Sequence, residues 1–458
     1  MILEEIDHPI SPVVDRDSEA AFVFITLADG LDHDALRAWL ATAGQLQTTL
    51  NSAGTRRSSR GTRVATCAIG FGRRFLARFP ESRIPVGLRT PPATPVAQDE
   101  VDVVFFVMTT SEAALADLLT GLSATRPTLA SVSIERGFQR ADAREVFGHL
   151  DGLRNMPRND RSRGAFILIE DHPDEPDWVD GGSYLAYLKI FQDTTAAAGL
   201  DQATHEQIMG RRMPDGSRMD LPAGTDPHTE GEFTDLATPP AASHVRKTGP
   251  RGAHHDAVNM LRRGVPYLTL NGDGSIDAGL QFVSFQGDLD VFDVMLNDWM
   301  LNPDFPTPGA GQDSLVAHGL IQFRRAGFYA VPPHDSRFPG AGLFDPDREP
   351  GRPRIKTGRL HIRKRFVDAA GNRVRRERSG VTFTLFDQAG AAVGQPFTTN
   401  ATGRAVSPLV PRNTPLVLRE TAVPAGITPA PDHPVELRRR NEALTVVNTV
   451  MTPGQYSG

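Results

Sequence analysis

Residues 243–267 have the sequence SHVRKTGPRGAHHDAVNMLRRGVPY, and the interpretation of the whole chain starts from this stretch. It contains His244 directly before a cationic run, and Arg262 in an Arg-Arg-Gly turn. An imidazole can ligate a metal ion, whereas a guanidinium is a hydrogen-bond donor that keeps its charge. Either residue alone has an ordinary structural explanation. Together they are candidates for opposite walls of one pocket.

Length and composition indicate a protein of several domains. The chain has 458 residues, of which 39% are hydrophobic and 23% charged, so about three domains are expected. The net charge of -6 argues against nucleic acid as the main partner. The single cysteine, Cys67, excludes an intrachain disulfide framework.

The N-terminal residues are acidic and contain neither a basic nor an apolar signal segment. Nowhere does the sequence contain a run of about 18 apolar residues, which a membrane-spanning helix needs. We therefore expect no membrane span and a cytoplasmic location. A cell-surface location, or secretion by a non-standard route, is the alternative.

Strand and helix patterns alternate twice in the first 335 residues. The first half predicts a strand at 21–27, a helix at 33–50, strands at 63–70 and 101–108, a helix from the N-cap Ser111 to 122, and a strand at 129–136. The second half predicts strands at 164–170, 183–191 and 279–285, a helix at 289–301, and a strand at 327–333. This order predicts an α+β fold with two ferredoxin-like units.

The composition changes after Pro333, where Pro, Gly, Asp and Arg become frequent. Only strand-like segments separated by turns follow, as in an all-β sandwich. The predicted organisation is a lead at 1–17, a first unit at 18–140, a second unit at 141–335, a linker at 336–354, a β-sandwich at 355–451, and a tail at 452–458.

Several short motifs follow one another between residues 148 and 282. They are GHLDG at 148–152, GSYL at 182–185, SHVRK at 243–247, LRRGVPY at 261–267 and GLQF at 279–282. Glycines on both sides of an acid allow a tight turn and a close approach of the backbone to a flat ligand. In this order the motifs resemble the dye-decolourising peroxidase family, and the resemblance extends over roughly residues 18–335.

The resemblance implies two ferredoxin-like units that enclose one haem b per chain. His244 would be the proximal ligand of the haem iron, and Asp313 would accept a hydrogen bond from its other ring nitrogen. Arg246 would bind a haem propionate as a bidentate donor. Gly152 would lie against the cofactor.

On the opposite side of the cofactor, the resemblance implies that Asp151 moves a proton between the two oxygens of hydrogen peroxide. Arg262 would stabilise the negative charge on the departing oxygen, and Arg263 is the alternative if the turn is offset by one residue. Leu280 and Phe282 would form an apolar wall that limits access to small oxidants. Ordinary strand packing explains these two residues equally well.

The predicted function is therefore a haem-dependent peroxidase that reduces hydrogen peroxide and oxidises small or bulky aromatic, dye-like donors. A haem-binding or haem-delivery protein with weak peroxidase activity is the alternative, because a carrier would need only the histidine. Trp178 is expected to be the most exposed of the three tryptophans, although packing is favoured over an electron-transfer role. The oligomeric state is left open.

The final domain contains GRLHIRK at 358–364, LRETAVPAG at 418–426 and LTVVNT at 444–449. It resembles the B-type, prealbumin-like repeat domains of Gram-positive adhesins and pilins, an Ig-like sandwich, over about residues 355–450. The resemblance implies an isopeptide bond between Lys364 and Asn448, with Glu420 as the proton carrier. A domain without the crosslink is the alternative. We expect this domain to dock onto a protein partner.

Overall fold

The computed structural model describes most of the chain, which divides into two compact units, residues 2–345 and 346–458. The described ranges are 19–53, 65–153, 155, 166–170, 172, 174–229, 233, 237–249, 259–345, 357–367, 374, 379–400, 403–408, 410–424, 427–437 and 441–450. The predicted lead at 1–17, the tail at 452–458 and the linker from 346 onward lie outside these ranges.

The first unit consists of one large sheet with helices against it. Its described strands are β1 (Glu19–Leu27), β2 (Ala65–Gly72), β3 (Val103–Thr109), β4 (Leu129–Phe138), β5 (Ser183–Gln192), β6 (Leu261–Arg262), β7 (Val265–Leu270), β8 (Ile276–Gln286) and β9 (Ile321–Val331). Its described helices are α1 (His33–Ala53), α2 (Arg73–Leu76), α3 (Val86–Arg89), α4 (Glu112–Ala124), α5 (Thr194–Ala198), α6 (Gln202–Met209), α7 (His244–Thr248), α8 (Asp290–Asp293), a π-helix (Val294–Met300) and α9 (Ser314–Ala317). Short 3₁₀ turns lie at Glu81–Arg83, Arg126–Thr128, Asp177–Val179 and Ala341–Phe344.

The sheet repeats one strand order twice. The first half runs β4-β1-β3-β2 and the second runs β9-β5-β8, with β6 and β7 both pairing the outer side of β8. All these pairs are antiparallel, and this is the order of a split βαβ, ferredoxin-like unit. The halves join where β2 pairs with β9, at Phe71–Ala330 and Gly72–Tyr329. The predicted α+β class is thus confirmed.

The sheet also curls so that its two outer strands, β4 and β7, come together. A Cβ on Gly137 of β4 would lie 2.5 Å from Val265 Cγ2 and 2.8 Å from the Pro266 carbonyl oxygen, so only glycine fits there. The Gln281 side chain donates a 2.6 Å hydrogen bond to the Arg136 carbonyl across the same contact. One face of the curled sheet therefore encloses an aromatic core, and the other carries the helices.

Burial on both faces explains why the central strands are continuous apolar runs instead of alternating ones. Every residue of β3 is buried. Side chains on its two faces belong to different cores, for example Phe105 to the helix-side core and Phe106 to the aromatic core. On the helix side, α1 buries Leu36 and Leu40 one turn apart, as the helical spacing in the sequence predicts.

Two predicted elements differ in the structure. Residues 166 and 167 are helical and 168–170 are not in a strand, although a strand was predicted at 164–170. The run of apolar residues there is buried, but a short apolar run does not distinguish a strand from a buried turn of helix. The predicted helix at 289–301 is α8 followed by the π-helix, whose wider turns are often found at functional sites.

The described ranges of the second unit contain strands and turns but no helix. The strands are β10 (Thr357–Val367), β11 (Thr382–Phe386), β12 (Phe397–Thr398), β13 (Arg404–Val406), β14 (Val410–Pro411), β15 (Pro415–Ala422), β16 (His433–Glu436) and β17 (Asn441–Thr449). One sheet pairs β10 in parallel with β17, and a second has the order β12-β11-β15-β16. Their apolar side chains share one core, as in a sandwich.

None of the described helices is both long enough and apolar enough to cross a bilayer.

Candidate functional site

A cavity of about 850 Å³ lies in the second half of the first unit. Its apolar wall is formed by β5, β8 and β9, the π-helix and α9. These side chains are Leu188, Ile190, Leu280, Phe282, Phe323, Met295, Leu296, Met300 and Leu315. The polar wall comes from the loop at 139–153, from α7, and from the turn around Arg262 and Arg263. The volume is within the range of about 300–1,000 Å³ that small-molecule and cofactor sites occupy.

His244 is the first residue of α7 and lines the cavity. Its Nδ1 lies 2.8 Å from Oδ2 of Asp313, whose side chain is completely buried. The other carboxylate oxygen of Asp313 accepts a 2.9 Å hydrogen bond from the Leu315 amide and so caps α9. Because the carboxylate is held at both oxygens, it fixes the orientation of the imidazole and directs Nε2 away from Asp313.

The pKa of His244 reflects two opposing effects. Burial lowers it, but the negative charge and hydrogen bond of Asp313 outweigh burial, and the pKa is raised above its ordinary value. An imidazole that donates from Nδ1 to a carboxylate is a more electron-rich ligand through Nε2. The structure thus brings together the two residues that the sequence suggested for the proximal side.

Arg262 lies on β6, on another part of the cavity lining. Its Nη2 donates a 2.5 Å hydrogen bond to the Leu153 carbonyl oxygen. The Asn155 side chain bonds both the amide and the carbonyl of Arg262, at 3.1 and 2.8 Å. These contacts hold the guanidinium beside the loop that carries Asp151.

Asp151 is exposed towards the cavity and is held through its backbone. Its amide donates to the Ala143 carbonyl oxygen at 2.7 Å, and its Oδ1 accepts from the Gly152 amide at 2.6 Å. Gly152 has a φ of 76°, in the left-handed region, with open space around the position of a Cβ. Glycine is needed there for backbone conformation, because nothing crowds the side-chain position.

Glu145 organises the turn before Asp151, and sequence reasoning missed it. Its buried carboxylate accepts hydrogen bonds from the amides of Phe147 and His149, at 2.9 and 2.8 Å, and from Gln192 Nε2 at 2.7 Å. Burial raises the pKa of Glu145 although these three bonds act against it. The buried carboxylate ties the Asp151 loop to β5. The sequence signal was a glutamate six residues before Asp151, which spacing alone does not distinguish from a surface acid.

His149 was also missed. It is 4% exposed, it lines the cavity, and its ring lies 5.9 Å from that of His205. Burial, and then the proximity of His205, lower the pKa of His149 to about 4. The imidazole is therefore neutral near pH 7.

The remaining predicted residues divide into two groups. Leu280, Phe282 and Gly152 line the cavity, so the structure allows the roles suggested for them. Arg246 is buried but is not among the described residues of the cavity lining. Its guanidinium lies 5.3 Å from the Phe233 ring centroid and donates to the Pro239 carbonyl oxygen at 3.2 Å. Its propionate role stays a prediction.

Trp178 is buried, at 5% exposed, and its Nε1 donates to the Arg83 carbonyl oxygen at 2.8 Å. All three tryptophans are buried, since Trp39 is 3% exposed and Trp299 4%, so Trp178 is the most exposed of them only by a small margin and does not lie at the surface. The acidic residues around it in the sequence suggested a surface position. In the structure the ring packs near Phe71, which is in the core of the first unit.

The donors around the cavity suit a metal that brings most of its own ligands. Across the described ranges, no group of three or more His, Cys, Asp or Glu side chains could hold a bare metal ion. His244, an imidazole fixed by a buried carboxylate on a cavity with an apolar wall, matches a haem, whose porphyrin supplies four ligands and needs apolar surroundings. The residues present therefore fit a haem.

The second unit contains a separate buried cluster. Lys364 on β10 is completely buried, and its Nζ contacts both Glu420 Oε1 and Asn448 Oδ1 more closely than an ordinary hydrogen bond. Glu420 Oε2 accepts from Asn448 Nδ2 at 2.6 Å and from the Ala430 amide at 2.9 Å. Burial lowers the pKa of Lys364, although Glu420 opposes the shift. The structure thus places the three residues of the predicted crosslink together.

The fold of the first unit is that of the DyP-type peroxidases. A DyP-type peroxidase from Streptomyces coelicolor aligns with a TM-score of 0.60 at 23% identity, covering 73% of this chain and 95% of the other. DypB from Rhodococcus jostii, solved as a variant in complex with haem, aligns with a TM-score of 0.53 at 21% identity, covering 70% and 94%. These likenesses concern the fold.

The sequence similarity to known proteins lies in the second half of the first unit, which contains the cavity. Residues 142–336 match the family model described as "Dyp-type peroxidase, C-terminal". A dye-decolorizing peroxidase of Thermobifida fusca is 33% identical over 167 residues, which are 33% of this chain and 38% of that protein. A deferrochelatase of Escherichia coli is 32% identical over 158 residues, 32% of this chain and 35% of that protein. The matched segment thus spans little more than a third of these relatives.

Proposed function

We propose that the first unit is a haem-dependent peroxidase of the dye-decolourising type. The observation that carries the proposal is His244, which lines the cavity with its Nδ1 bonded to the buried carboxylate of Asp313. One haem b per chain is the proposed cofactor, held by Nε2 of His244. When bound, the haem would supply the redox chemistry that takes two electrons from donors and delivers them to peroxide.

The chain's own residues would handle the protons and charge of peroxide cleavage. Asp151 would accept a proton from one peroxide oxygen and return it to the other, which leaves as water. The fixed charge of Arg262 would stabilise the departing oxygen. The Leu153 carbonyl oxygen holds that guanidinium and the Asn155 side chain holds the Arg262 backbone, so little reorganisation would accompany the reaction.

The apolar wall at Leu280 and Phe282 would exclude bulky molecules and leave room for hydrogen peroxide. The proposed donors are therefore small aromatic molecules, or bulky dye-like ones oxidised from outside the cavity. The proposed location is the cytoplasm, with a surface or secreted location as the alternative.

The rival function is haem handling without efficient turnover, and the likeness to the deferrochelatase favours it over other rivals. The two functions differ in their products. A peroxidase keeps its haem intact through each cycle. A haem-delivery protein transfers its haem, or its haem is bleached by peroxide. A protein that removes the iron would leave a metal-free porphyrin. The pair Asp151 and Arg262 favours the peroxidase, because haem handling needs neither residue.

The deciding experiment combines spectra and turnover. The haem-loaded protein should show a Soret band that weakens or shifts in His244→Ala, and it should oxidise an anthraquinone dye over many cycles with hydrogen peroxide. His318→Ala is a suitable control, because this histidine bonds the Ser314 carbonyl oxygen and is not part of the described cavity lining. Absence of a Soret band would remove the haem proposal. A fluorescent metal-free porphyrin as the main product would favour the rival.

For the second unit we propose an isopeptide bond between Lys364 and Asn448 in a domain that docks onto a protein partner. The Lys364 amine would attack the Asn448 side-chain carbonyl carbon, an amide would form, and ammonia would leave. Glu420, close to both partners, would carry the protons. Intact mass should be lower by one ammonia in the parent and unshifted in Glu420→Ala, whereas an unshifted parent would rule out the bond.

A further inference from the structure

The loop between the π-helix and α9 carries Asp313 at its end but has little regular structure of its own. It runs from Asn302 to Gln312 and contains Pro303, Pro306 and Pro308. Internal backbone bonds are few, such as the Gly311 amide to the Pro303 carbonyl oxygen at 2.8 Å. Asp313 itself is held at its backbone, since its amide donates to the Met300 carbonyl oxygen at 2.9 Å and the Ser314 amide donates to the Ala242 carbonyl oxygen at 2.8 Å. The rest of the loop depends on a hold from outside.

Lys247 supplies such a hold. Its side chain is completely buried, and its Nζ donates to three carbonyl oxygens of the loop, those of Asn302 at 2.6 Å, Gly311 at 2.9 Å, and Phe305. Three donated bonds use every N–H of an ammonium group. The start, middle and end of the loop thus converge on one cation.

The same helix also carries the imidazole. His244 and Lys247 are three residues apart on α7, so they project from neighbouring positions on one side of the helix. His244 meets Asp313, and Lys247 meets Gly311, two residues earlier in the chain. The contacts form a closed ring of His244, Asp313, Gly311 and Lys247. The ammonium group at the other corner therefore adds to the backbone bonds that position the carboxylate.

We propose that Lys247 is a positioning residue that sets the strength of the hydrogen bond between His244 Nδ1 and Asp313. Through this bond it sets the electron density on His244 Nε2, the nitrogen that would hold the iron. The part that concerns iron rests on the proposed function. The part that concerns the hydrogen bond does not. Replacement of Lys247 by methionine keeps the length of the side chain but removes the donor from three partly buried carbonyl groups. The loop should then relax, and Asp313 should move away from Nδ1.

The first test uses haem-free protein, where the His244 Nδ1 proton is observed by ¹⁵N-edited NMR. Lys247→Met should shift this resonance in the same direction as Asp313→Asn, by a smaller amount, and reduce its protection from exchange. Lys247→Arg should restore part of the signal, because a guanidinium can still donate to two of the carbonyls. Gln312→Ala, in an exposed residue of the same loop, should leave the resonance in place. A folded Lys247→Met protein with an unchanged Nδ1 signal would overturn the proposal.

Gly311→Ala is the second variant, for the case that Lys247→Met does not fold. Gly311 has a φ of 90°, while the nearest atom to an added Cβ is Ala242 Cβ at 4.0 Å. The substitution therefore disturbs the Gly311 carbonyl through the backbone, without a steric clash and without a change to Lys247. It should move the His244 signal in the same direction as Asp313→Asn, and an unmoved signal would count against the proposal.

The second test uses haem-loaded protein. The iron–histidine stretching frequency of the ferrous form should fall in Lys247→Met and recover in part in Lys247→Arg, and haem affinity should fall about 10-fold. If no haem binds to the parent, the proposed function fails while the NMR result still decides the role of Lys247. If haem binds and the frequency does not move, the link from Lys247 to the iron is wrong.

Discussion

Two aspartates near the same cavity are held in opposite ways: Asp151 lines the cavity, whereas Asp313 lies behind His244. Asp313 is completely buried, and its two oxygens are bound by His244 and by the Leu315 amide. Asp151 is exposed towards the cavity and is held by its backbone, with its Oδ1 on the neighbouring Gly152 amide. Removing a buried, fully bonded carboxylate disturbs the fold, whereas a carboxylate at an open wall is available to move protons. Burial and bonding, not residue type, separate the two proposed roles.

The largest expected effect is on the rate in Asp151→Asn. The amide has a similar shape but cannot carry a proton, so reaction with peroxide should slow by about 10²- to 10⁴-fold. The melting temperature should hardly change, because the backbone bond to Ala143 persists. Stopped-flow absorbance of the haem measures the rate. Asp142→Asn, at an exposed position earlier in the same loop, should retain the parent rate. A similar slowing in both variants would show that the loop, not the Asp151 carboxylate, matters.

A pH effect should appear at His149, in the loop that carries Asp151. Its pKa is about 4 in the folded protein, against 6.5 ordinarily, so the unfolded chain binds a proton first as the pH falls. The folded state keeps the full stabilisation from neutral His149 above pH 6.5. As the pH falls from 6.5 to 4, the free energy of unfolding should drop by about 3 kcal/mol. Urea unfolding of the haem-free protein at several pH values measures it. In His149→Phe the slope over this interval should flatten, and an unchanged slope would assign the loss to other groups.

Asp313→Asn should lower both the free energy of unfolding and the affinity for haem. It removes a charged acceptor from a buried imidazole, which costs about 1.5–3 kcal/mol, and it should weaken haem binding by about 10- to 100-fold. Urea unfolding and haem titration measure the two effects. Asp117→Asn, at an exposed position on α4, serves as the control. Wild-type stability in Asp313→Asn would contradict the contrast between the two aspartates.

The smallest expected effect is that of Gly152→Ala. Because φ is 76° and the Cβ position is open, the cost is conformational, about 1 kcal/mol. Gly224→Ala is a matched control, since Gly224 has a φ of 79° and an equally open Cβ position. Both variants should lose similar stability in thermal unfolding, but only Gly152→Ala should slow the reaction with peroxide. Equal rates in both would mean that the Gly152 turn does not position Asp151.

Local patterns predicted much of the fold, because they report which faces are buried. The helix from the Ser111 cap is present as α4, with Ser111 Oγ accepting from the Ala114 amide at 3.3 Å. The predicted strand at 183–191 is β5. The strand at 164–170 was wrong, because a short apolar run lacks the periodicity that separates strand from helix. The order of the motifs similarly suggested His244, Asp151, Arg262 and Asp313 as site residues. In the structure the first three line the cavity, and Asp313 bonds His244.

The alternation of strands and helices and the residue types available for chemistry can therefore be read from the amino-acid order. Which of those residues are buried, and what each one bonds, follows from the packing of the folded chain. Glu145, His149 and Lys247 look like surface residues in the sequence, yet all three are buried, and Trp178 is buried among residues that suggest exposure. The reason is physical: hydrogen bonds such as those from Lys247 to Asn302 and Gly311 join residues distant in the chain. Neither spacing nor composition records such contacts.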